Sequence, residues 1–435
     1  MFKLTKRSFT ALLALVLVFS MAALFACSQT ENDNDNDNVF STTPMVSGSL
    51  VLRADGTVWE FARESTEEES SLDLSVAEKI EGLDNIVYIA TLTTMDIFPN
   101  FALRYDGTVW AWGHNEEGRL GDGTTTYRPY PIQLEGLSDI VKISHSGLHT
   151  LALQRDGTVW AWGWNMAGQI GDGTTEDRNY PKQVNGLPKI TSIVVEPMRS
   201  FALCENGAVW AWGWGVDSNG VSSAEAENVT TRPIELQNVP AIASIEQGRH
   251  GIVLISQEGR VYTDAGFTNF FLSCWEVDGM VVADRFVRVA FALCEQGNVW
   301  TWDVGEVEFI DAPTMELAGQ IHGLENIVEF VIYRELELLS FEGFDEMLSA
   351  TSVYNGLFLG ENGYLWRYSL CVDSVPVSPT LGIVEGLERI VAIQVEDVAA
   401  FAFVEDGTLW AWIGMDDGFY GLARTPQQVE FRAVS

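Results

Sequence analysis

Histidine is the residue type in this chain best suited to metal or acid–base chemistry, and its distribution predicts neither. The five histidines are His114, His145, His149, His250 and His322. His145 and His149 have the spacing that places two metal ligands together on a helix. Their segment alternates apolar and polar residues, which predicts an extended strand that keeps the two imidazoles apart. We therefore expect no metal site, and we expect His149 and His250, which share one position of a repeat, to act as hydrogen-bonding scaffold residues.

Carboxylates are abundant, with 61 acidic against 25 basic residues and a formal net charge of −36. Asp33, Asp35 and Asp37 alternate like the ligands of a calcium loop, but Asn38 stands where such a loop needs glycine. A carboxylate pair of the kind that hydrolyses glycosidic bonds could lie anywhere on so acidic a chain. An enzyme acting on carbohydrates therefore remains an alternative without named residues.

Other catalytic patterns are absent from the sequence. It contains no Gly-x-Ser-x-Gly nucleophile motif, no dinucleotide fingerprint and no glycine-rich phosphate loop followed by Lys and Ser or Thr. The prediction is a non-catalytic protein that uses no cofactor and no metal.

The elements that position these residues recur eight times along the chain. Each copy joins an apolar run, a turn with glycine and a strand with an aromatic end; the copies are 55–59, 106–110, 156–160, 205–210, 257–262, 295–300, 361–366 and 406–410. The turn glycines are 38 to 66 residues apart, with a mean near fifty. A period of this length is typical of repeat architectures.

One copy, from Ile140 to Val184, predicts four short strands and no helix. Alternating residues favour strands at 140–143, 146–153, 159–163 and 181–184. Asp156 and Gly157 form a hairpin signal because both residue types tolerate positive φ. Four strands in fifty residues are typical of a β-propeller blade, so the predicted fold is all-β. The eight hairpins favour eight blades, with seven as the alternative, and 39–46 is expected to supply the strand that closes the ring.

Several segments of the repeat resemble a known family. They are Asp-Gly-Thr-Val-Trp-Ala-Trp-Gly at 106–113 and 156–163, Gly-Asp-Gly-Thr at 121–124 and 171–174, and Arg-x-x-Pro at 128–131 and 178–181. Together they resemble the regulator of chromosome condensation repeat, sharply from Ile86 to Gly213 and from Ile390 to Val429. Between Val216 and Pro379 only the hairpins keep the resemblance. It implies a propeller, usually of seven blades, whose members include an exchange factor, a light receptor and an exported enzyme inhibitor, so it leaves the function open.

Three positions just after the repeated strand differ from the tryptophans that we expect to pack between blades. The packing tryptophans are Trp110, Trp112, Trp160, Trp162, Trp210, Trp212, Trp410 and Trp412. His114, Trp164 and Trp214 follow the glycine that ends this strand in three consecutive copies. We expect them at neighbouring points of one face, where they would bind protein or glycan, with packing at the rim as the alternative. Asp217–Thr231 and Tyr333–Ser349 depart from the repeat and are expected to be partner-facing insertions or surface loops.

The beginning of the sequence predicts export and a lipid anchor. Residues 1–26 have the basic start and apolar stretch of a secretory signal. Leu24-Phe25-Ala26-Cys27 resembles the signal box of bacterial lipoproteins, in which the cysteine is lipidated. The predicted division is therefore 1–26 signal, 27–38 lipidated Cys27 and polar tether, and 39–435 propeller. Simple secretion is the alternative to this membrane-anchored, extracytoplasmic location.

The charge and the cysteines limit the partners of the chain. So acidic a surface repels nucleic acid and anionic lipid, which predicts contact with the membrane through the lipid anchor only. Cys204 and Cys294 share one repeat position in non-adjacent copies, so we expect small buried side chains rather than a disulfide. The prediction is a monomeric cell-surface module with a protein partner, a basic one suiting it best. A glycan-binding protein and a passive adhesive protein are the alternatives.

Overall fold

The computed structural model describes residues 42–65, 70–91, 98–217, 220–221, 229–237, 239–248, 251–257, 260–264, 270–276, 280–285, 289–294, 297–303, 319–324, 326–338, 350–371, 380–384, 386–396, 399–413 and 426–432. The predicted signal, Cys27 and the tether lie outside these residues, so export and lipidation stay predictions.

The described residues form eight sheets of four or five strands, and the first four strands of each run up and down in chain order. Sheet 1 contains Met45–Ser47, Leu50–Leu52, Val58–Ser65, Ser70–Lys79 and Glu430–Arg432; sheet 2 contains Ile86–Ala90, Pro99–Arg104, Val109–Gly113 and Arg128–Gln133; sheet 3 contains Ile140–His145, His149–Gln154, Val159–Gly163 and Arg178–Gln183; sheet 4 contains Ile190–Glu196, Arg199–Cys204, Val209–Trp214 and Val229–Glu235. Sheet 5 contains Ile242–Gly248, Gly251–Ser256, Arg260–Asp264 and Phe270–Glu276; sheet 6 contains Met280–Arg285, Val289–Cys294, Val299–Asp303 and Gly319–Gln320; sheet 7 contains Ile327–Leu338, Ala350–Gly360, Leu365–Cys371 and Thr380–Ile383; sheet 8 contains Ile390–Glu396, Ala399–Val404, Leu409–Ile413 and Gln427–Gln428. Val216–Asp217 and Gly220–Val221 make a small separate hairpin, and Glu116–Gly118 forms a 3-10 turn.

The sequence correctly predicted the position of the hairpin between the second and third strands of each sheet. It predicted the wrong turn geometry, as sheet 3 shows. In sheet 3 the N–H of Gly157 donates to the Gln154 carbonyl at 2.9 Å, and the Gln154 N–H donates to Thr158 at 2.8 Å. Gly157 has a φ of 94°, whereas Asp156 is not among the described residues with positive φ. The loop is thus a three-residue turn with one left-handed glycine. Asp156 instead accepts the Thr158 N–H at 2.9 Å, and this bond lowers the pKa of the carboxyl.

Packing between sheets follows the two faces of each strand. Trp160 and Trp162 pack with the sheet before their own, while Val159 and Ala161 pack with the sheet after it. Trp162 is fully buried, as is its counterpart in sheet 4, Trp212. Stacking the sheets therefore buries both faces of each, which a single copy could not do.

The sheets close into a β-propeller. The first strands of sheets 1 to 5 contact one another in turn, as do those of sheets 6, 7, 8 and 1, so these strands surround the axis of the ring. Residues of sheets 1 and 8 share one core, which includes Phe61 and Phe401 with their rings stacked 5.7 Å apart. Gln394 of sheet 8 joins the backbone of Val46, whose N–H donates to the Gln394 Oε1 at 2.7 Å. Each of the eight predicted hairpins lies in its own sheet.

The ring is latched by the end of the chain as well as by its beginning. Met45–Ser47 forms the first strand of sheet 1 and overlaps 39–46, the stretch expected to close the ring. Glu430–Arg432 also joins sheet 1, pairing in parallel with its fourth strand, which the sequence did not predict. Phe431 lies edge-on to Trp59 at 5.1 Å, and the Arg53 guanidinium sits 4.6 Å from the Phe431 ring.

Sheet 7 explains part of the 66-residue interval between hairpins. Its first two strands have 12 and 11 residues, against six each in sheet 3. Residues Tyr333–Leu338, which were expected in a loop or an insertion, thus extend a strand pair. Six further residues lengthen the pair by roughly 20 Å beyond a strand of sheet 3.

Candidate functional site

The two ends of the sheets carry different structures. One end, the hairpin face, has the turns between second and third strands and the links between sheets. The other end, the loop face, has the turns between first and second strands and the loops between third and fourth strands. The loops 114–127 of sheet 2 and 164–177 of sheet 3 are described throughout and contain two of the predicted binding residues.

A buried asparagine shapes each of these two loops. The Asn165 side-chain nitrogen donates to the carbonyls of Thr174 and Glu176 at 3.1 and 2.9 Å, and its Oδ1 accepts the Ile170 N–H at 2.9 Å. Asn115 makes the equivalent bonds in sheet 2 at 2.9 to 3.1 Å. Because the asparagine satisfies backbone groups on both sides of the loop, the two loops share one hydrogen-bond frame.

An ion pair closes each loop onto the fourth strand. Asp172 accepts bonds from the Arg178 Nε at 2.7 Å and from the Thr174 N–H at 3.0 Å, and Asp122 accepts the Arg128 Nε at 2.7 Å. Burial alone raises the pKa of the Asp172 carboxyl, but the bonds from Thr174 and Arg178 outweigh burial and hold that pKa below its ordinary value. The repeated Gly-Asp-Gly-Thr and Arg segments are therefore structural.

Each loop is also seated on the next sheet. The indole N–H of Trp162 donates to the Arg119 carbonyl at 3.1 Å, and that of Trp212 donates to the Gln169 carbonyl at 2.7 Å. A Cβ added at Gly171 would lie 2.7 Å from the Trp212 indole, so only glycine fits under the ring. These contacts hold successive loops at a constant spacing around the ring.

His114, Trp164 and Trp214 occupy the same position of the loop face in sheets 2, 3 and 4. The glycine before each of them has a φ between 100° and 113°, a conformation that side chains rarely adopt. The backbone N–H of each tryptophan donates to the turn between the first and second strands of its sheet, at 2.9 and 3.0 Å. All three side chains are partly exposed, and the ring of His114 lies edge-on to Tyr127 with centroids 5.4 Å apart.

An exposed apolar residue accompanies each of these three positions: Tyr127 contacts His114, Met166 follows Trp164 by two residues, and the Met198 carbonyl accepts the Trp214 N–H. Tyr127 is 51% exposed, Met166 68% and Met198 40%, which is high for residues of this size. We use the name loop-face patch for His114, Tyr127, Trp164, Met166, Met198 and Trp214. Large apolar side chains that cluster on a surface indicate a binding site rather than ordinary solvent exposure.

The family of the repeat is shown by comparison of the sequence with known families. The family model of the regulator of chromosome condensation (RCC1) repeat matches residues 106–153 and 156–199, and a second model of the same repeat matches 140–169. Residues 106–153 and 156–199 of this propeller are RCC1 repeats. Both complete loops of the candidate site fall within the matched residues, whereas 390–429, expected to be a second sharp match, lies outside them. No curated protein matches the chain.

Solved structures similar to this RCC1-repeat chain are distant from it. Yeast RCC1 (Prp20), in a crystal structure with Kap60, aligns with a TM-score of 0.46 and 16% identity over 74% of this chain and 83% of that chain. Human WBSCR16 aligns with a TM-score of 0.46 and 15% identity over 86% and 93%. BamB from Moraxella catarrhalis aligns with a TM-score of 0.42 and 11% identity over 86% and 96%.

The expectation that His145 and His149 are separated on one extended strand is wrong. His145 ends the first strand of its RCC1 repeat and His149 begins the second, with a tight turn between them. The Ser146 N–H closes this turn on the His149 carbonyl at 3.1 Å, and the Gly147 N–H donates to the His145 Nδ1 at 3.1 Å. The alternation of apolar and polar residues correctly predicted extended backbone on both sides. It did not predict that the chain reverses direction between the two histidines, because Ser146 and Gly147 carry the only signal for a turn.

His149 has the scaffold role that the sequence predicted. Its two ring nitrogens lie 3.1 Å from the Ser146 hydroxyl and 2.7 Å from the Ser200 hydroxyl of the next sheet. Ser200 in turn donates to the Gln169 carbonyl at 2.8 Å. Burial lowers the pKa of His149 to about 3, with the nearby His145 lowering it further, so the imidazole is neutral. His250 lies outside the described residues.

Charged side chains on the first strands were not singled out from the sequence. The Lys142 ammonium donates to the Ser192 hydroxyl at 2.9 Å; burial lowers the pKa of Lys142 and raises that of Glu246, two sheets further on. Glu329 accepts the Ile393 N–H at 3.2 Å, and burial raises the pKa of its carboxyl to about 7. A polar residue inside an alternating first strand was the sequence signal that could have identified these charged residues. That Lys142, Glu246 and Glu329 surround one axis is visible only in the closed ring.

Other expectations concern metals, membranes and thiols. Within the described ranges, no three metal-ligating side chains come together. In the same part of the chain, no helix has the length and hydropathy to cross a membrane. Cys204 is free and buried at the end of a strand of sheet 4, as predicted, and Cys294 ends the equivalent strand of the non-adjacent sheet 6.

Proposed function

We propose that this chain is a non-catalytic protein-binding propeller that holds its partner on the loop face of sheets 2 to 4. The observation that supports this proposal is the contrast between fixed and varied positions in two loops that share one hydrogen-bond frame. The scaffold residues Asn115 and Asn165 are the same, while Met166 replaces Glu116 and Trp164 replaces His114 at the exposed positions. A rigid frame with exchangeable exposed side chains is typical of recognition surfaces.

The location belongs to the same proposal. We infer an extracytoplasmic protein held at a membrane by lipid on Cys27, with 27–38 as a polar tether. Metabolic labelling with a fatty acid tests the anchor, since Cys27→Ser is expected to abolish incorporation and release the chain from the membrane fraction. Labelling that persists in the variant would show that Cys27 is not the modified residue.

The binding role is tested with the full chain in mild detergent as bait for proteins of the organism that produces it. Trp164→Ala with Trp214→Ala is expected to lose a partner that the unchanged chain retains, because exposed aromatic anchors at binding sites are worth about 2 kcal/mol or more each. Tyr364→Ala is the matched control: Tyr364 is 40% exposed but lies at a hairpin of sheet 7, on the opposite face.

Thermal unfolding of the same variants separates contact from packing. Unchanged unfolding together with a lost partner supports binding by the patch. A partner retained by the double variant, or a double variant that unfolds, would contradict a direct role of the two tryptophans.

A further inference from the structure

Exposed acidic side chains occupy loop positions that correspond to apolar residues of the loop-face patch. The two loops align residue by residue in the sequence and share the asparagine bonds, so Glu116 of one corresponds to Met166 of the other, and Tyr127 corresponds to Asp177. Glu116 and Asp177 are both exposed. Each loop therefore presents a carboxylate at the point where its neighbour presents a large apolar side chain.

The positive charges of the two loops are already neutralised inside the loops. Residues 114–128 contain three carboxylates and two arginines, and residues 164–178 contain three carboxylates and one arginine. Arg119 pairs with Glu117 at 2.6 Å, and Arg178 pairs with Asp172 at 2.6 Å and with a second loop carboxylate at 3.2 Å. The arginine of the sheet 2 fourth strand pairs with its loop aspartate in the same way. The surplus charge of the surface is thus negative and includes Glu116 and Asp177.

We propose that the occupant of the loop-face patch is a protein segment in which lysine or arginine alternates with apolar residues. This inference rests on the proposed function and specifies its partner. Apolar side chains of the segment would pack on Trp164 and Met166, whose thioether adapts to varied shapes. Cationic side chains would reach Glu116 and Asp177 and lie against the tryptophan ring, which attracts cations.

Two other occupants are disfavoured by charge. A second copy of this chain would bring one acidic surface onto another, with a net charge of −36 on each. An uncharged carbohydrate would pack on the aromatic side chains but would gain no electrostatic attraction from the exposed carboxylates.

The first test is a selection of short random peptides displayed on phage. The full chain is the target, and the Trp164→Ala, Trp214→Ala variant removes peptides that bind elsewhere. The expected result is enrichment of peptides that combine basic with aromatic or long aliphatic residues. Enrichment of neutral or acidic peptides, or no peptide that depends on the two tryptophans, would overturn the inference.

The second test measures the contribution of charge with one selected peptide, synthesised and labelled for fluorescence anisotropy. Glu116→Gln with Asp177→Asn is expected to weaken its binding roughly fivefold, since two exposed ion pairs of about 0.5 kcal/mol each are lost. Asp177→Asn keeps the Oδ1 that accepts the Asn165 N–H at 2.8 Å, so the loop is preserved. Glu81→Gln with Glu135→Gln changes the charge equally on the hairpin face and is expected to leave the affinity unchanged.

The outcomes distinguish this inference from the proposed function. If the Glu81→Gln, Glu135→Gln variant weakened binding as much as the Glu116→Gln, Asp177→Asn variant, the effect would come from the overall charge of the chain. That result would contradict a direct contact of the peptide with Glu116 and Asp177. Sedimentation that shows self-association dependent on Trp164 would assign the patch to a second copy instead. Neither result decides the proposed function, which is tested separately by partner capture with the Trp164→Ala, Trp214→Ala variant.

Discussion

The buried imidazole of His149 is expected to make the stability of the chain depend on pH, and this contribution can be measured by replacing that one side chain. In the native chain the ring is 1% exposed and its pKa is lowered to about 3 by burial. In the unfolded chain its pKa is the ordinary value of 6.5. Because the native pKa is the lower one, the stabilisation is complete above pH 6.5 and is lost as the pH falls towards 3.

The size of the effect follows from proton linkage. Between pH 7 and about pH 5 the unfolded imidazole takes up a proton that the native imidazole does not, which lowers the free energy of unfolding by about 2 kcal/mol. His149→Gln cannot take up that proton. At pH 7 the variant is expected to be about 1 to 3 kcal/mol less stable, because the hydrogen bonds to Ser146 and Ser200 are lost or weakened. At pH 5 this deficit should shrink by about 2 kcal/mol.

The assay is urea unfolding of both proteins across this pH range, with histidine titration followed by NMR. Ser200→Ala is the control, since it removes one bond to the imidazole but leaves a buried histidine, so it should keep the pH dependence of the unchanged chain. A deficit of His149→Gln that stays constant with pH would refute the reasoning. An imidazole of His149 that titrates near 6.5 in the native chain would refute it directly.

Three further substitutions test the packing and charge described above. Gly171→Ala is expected to lower the unfolding free energy by about 2 kcal/mol or more, because its Cβ meets the Trp212 indole at 2.7 Å; Gly186→Ala, at a φ of 91° with open space, should cost less in the same thermal unfolding experiment. Arg178→Gln should cost about 2 to 3 kcal/mol in urea unfolding, because it leaves a buried carboxylate without its guanidinium; retained stability would show that the loop tolerates the charge. Glu329→Gln should remove a gain in stability that the unchanged chain makes as the pH falls from 7 to 4.5, since the native carboxyl has the higher pKa and protonation favours the native state. This contribution is opposite in sense to that of the histidine, so the variant should lose more stability on acidification; an unchanged pH profile would contradict a buried carboxyl at this position.

The fold was predictable wherever the determining contacts are local. A turn such as Asp156-Gly157 depends on a bond from the aspartate to the N–H two residues later and on a glycine with a φ of 94°. Those requirements lie within a few residues, so the sequence displays them. The alternation of Trp160 and Trp162 with small or branched residues likewise predicts both faces of the strand.

The candidate site was predictable only in part. His114, Trp164 and Trp214 stand out by their position after a repeated glycine, and the structure places them at equivalent points of one face. The surrounding Met166 and Met198 were missed, because scattered methionines carry no pattern. Their exposure of 68% and 40% is a property of the folded loops alone.

The sequence by itself determined the repeat, its hairpins and the class of fold, since a period near fifty residues with strand alternation leaves each copy with apolar faces that only neighbours can cover. The tertiary structure decided what depends on residues far apart in the chain. It paired Glu430–Arg432 with sheet 1, seated Trp212 on the carbonyl of Gln169, and brought Lys142 and Glu246 around one axis. These contacts arise from closing a ring, a constraint that acts between copies and leaves no mark within any one of them.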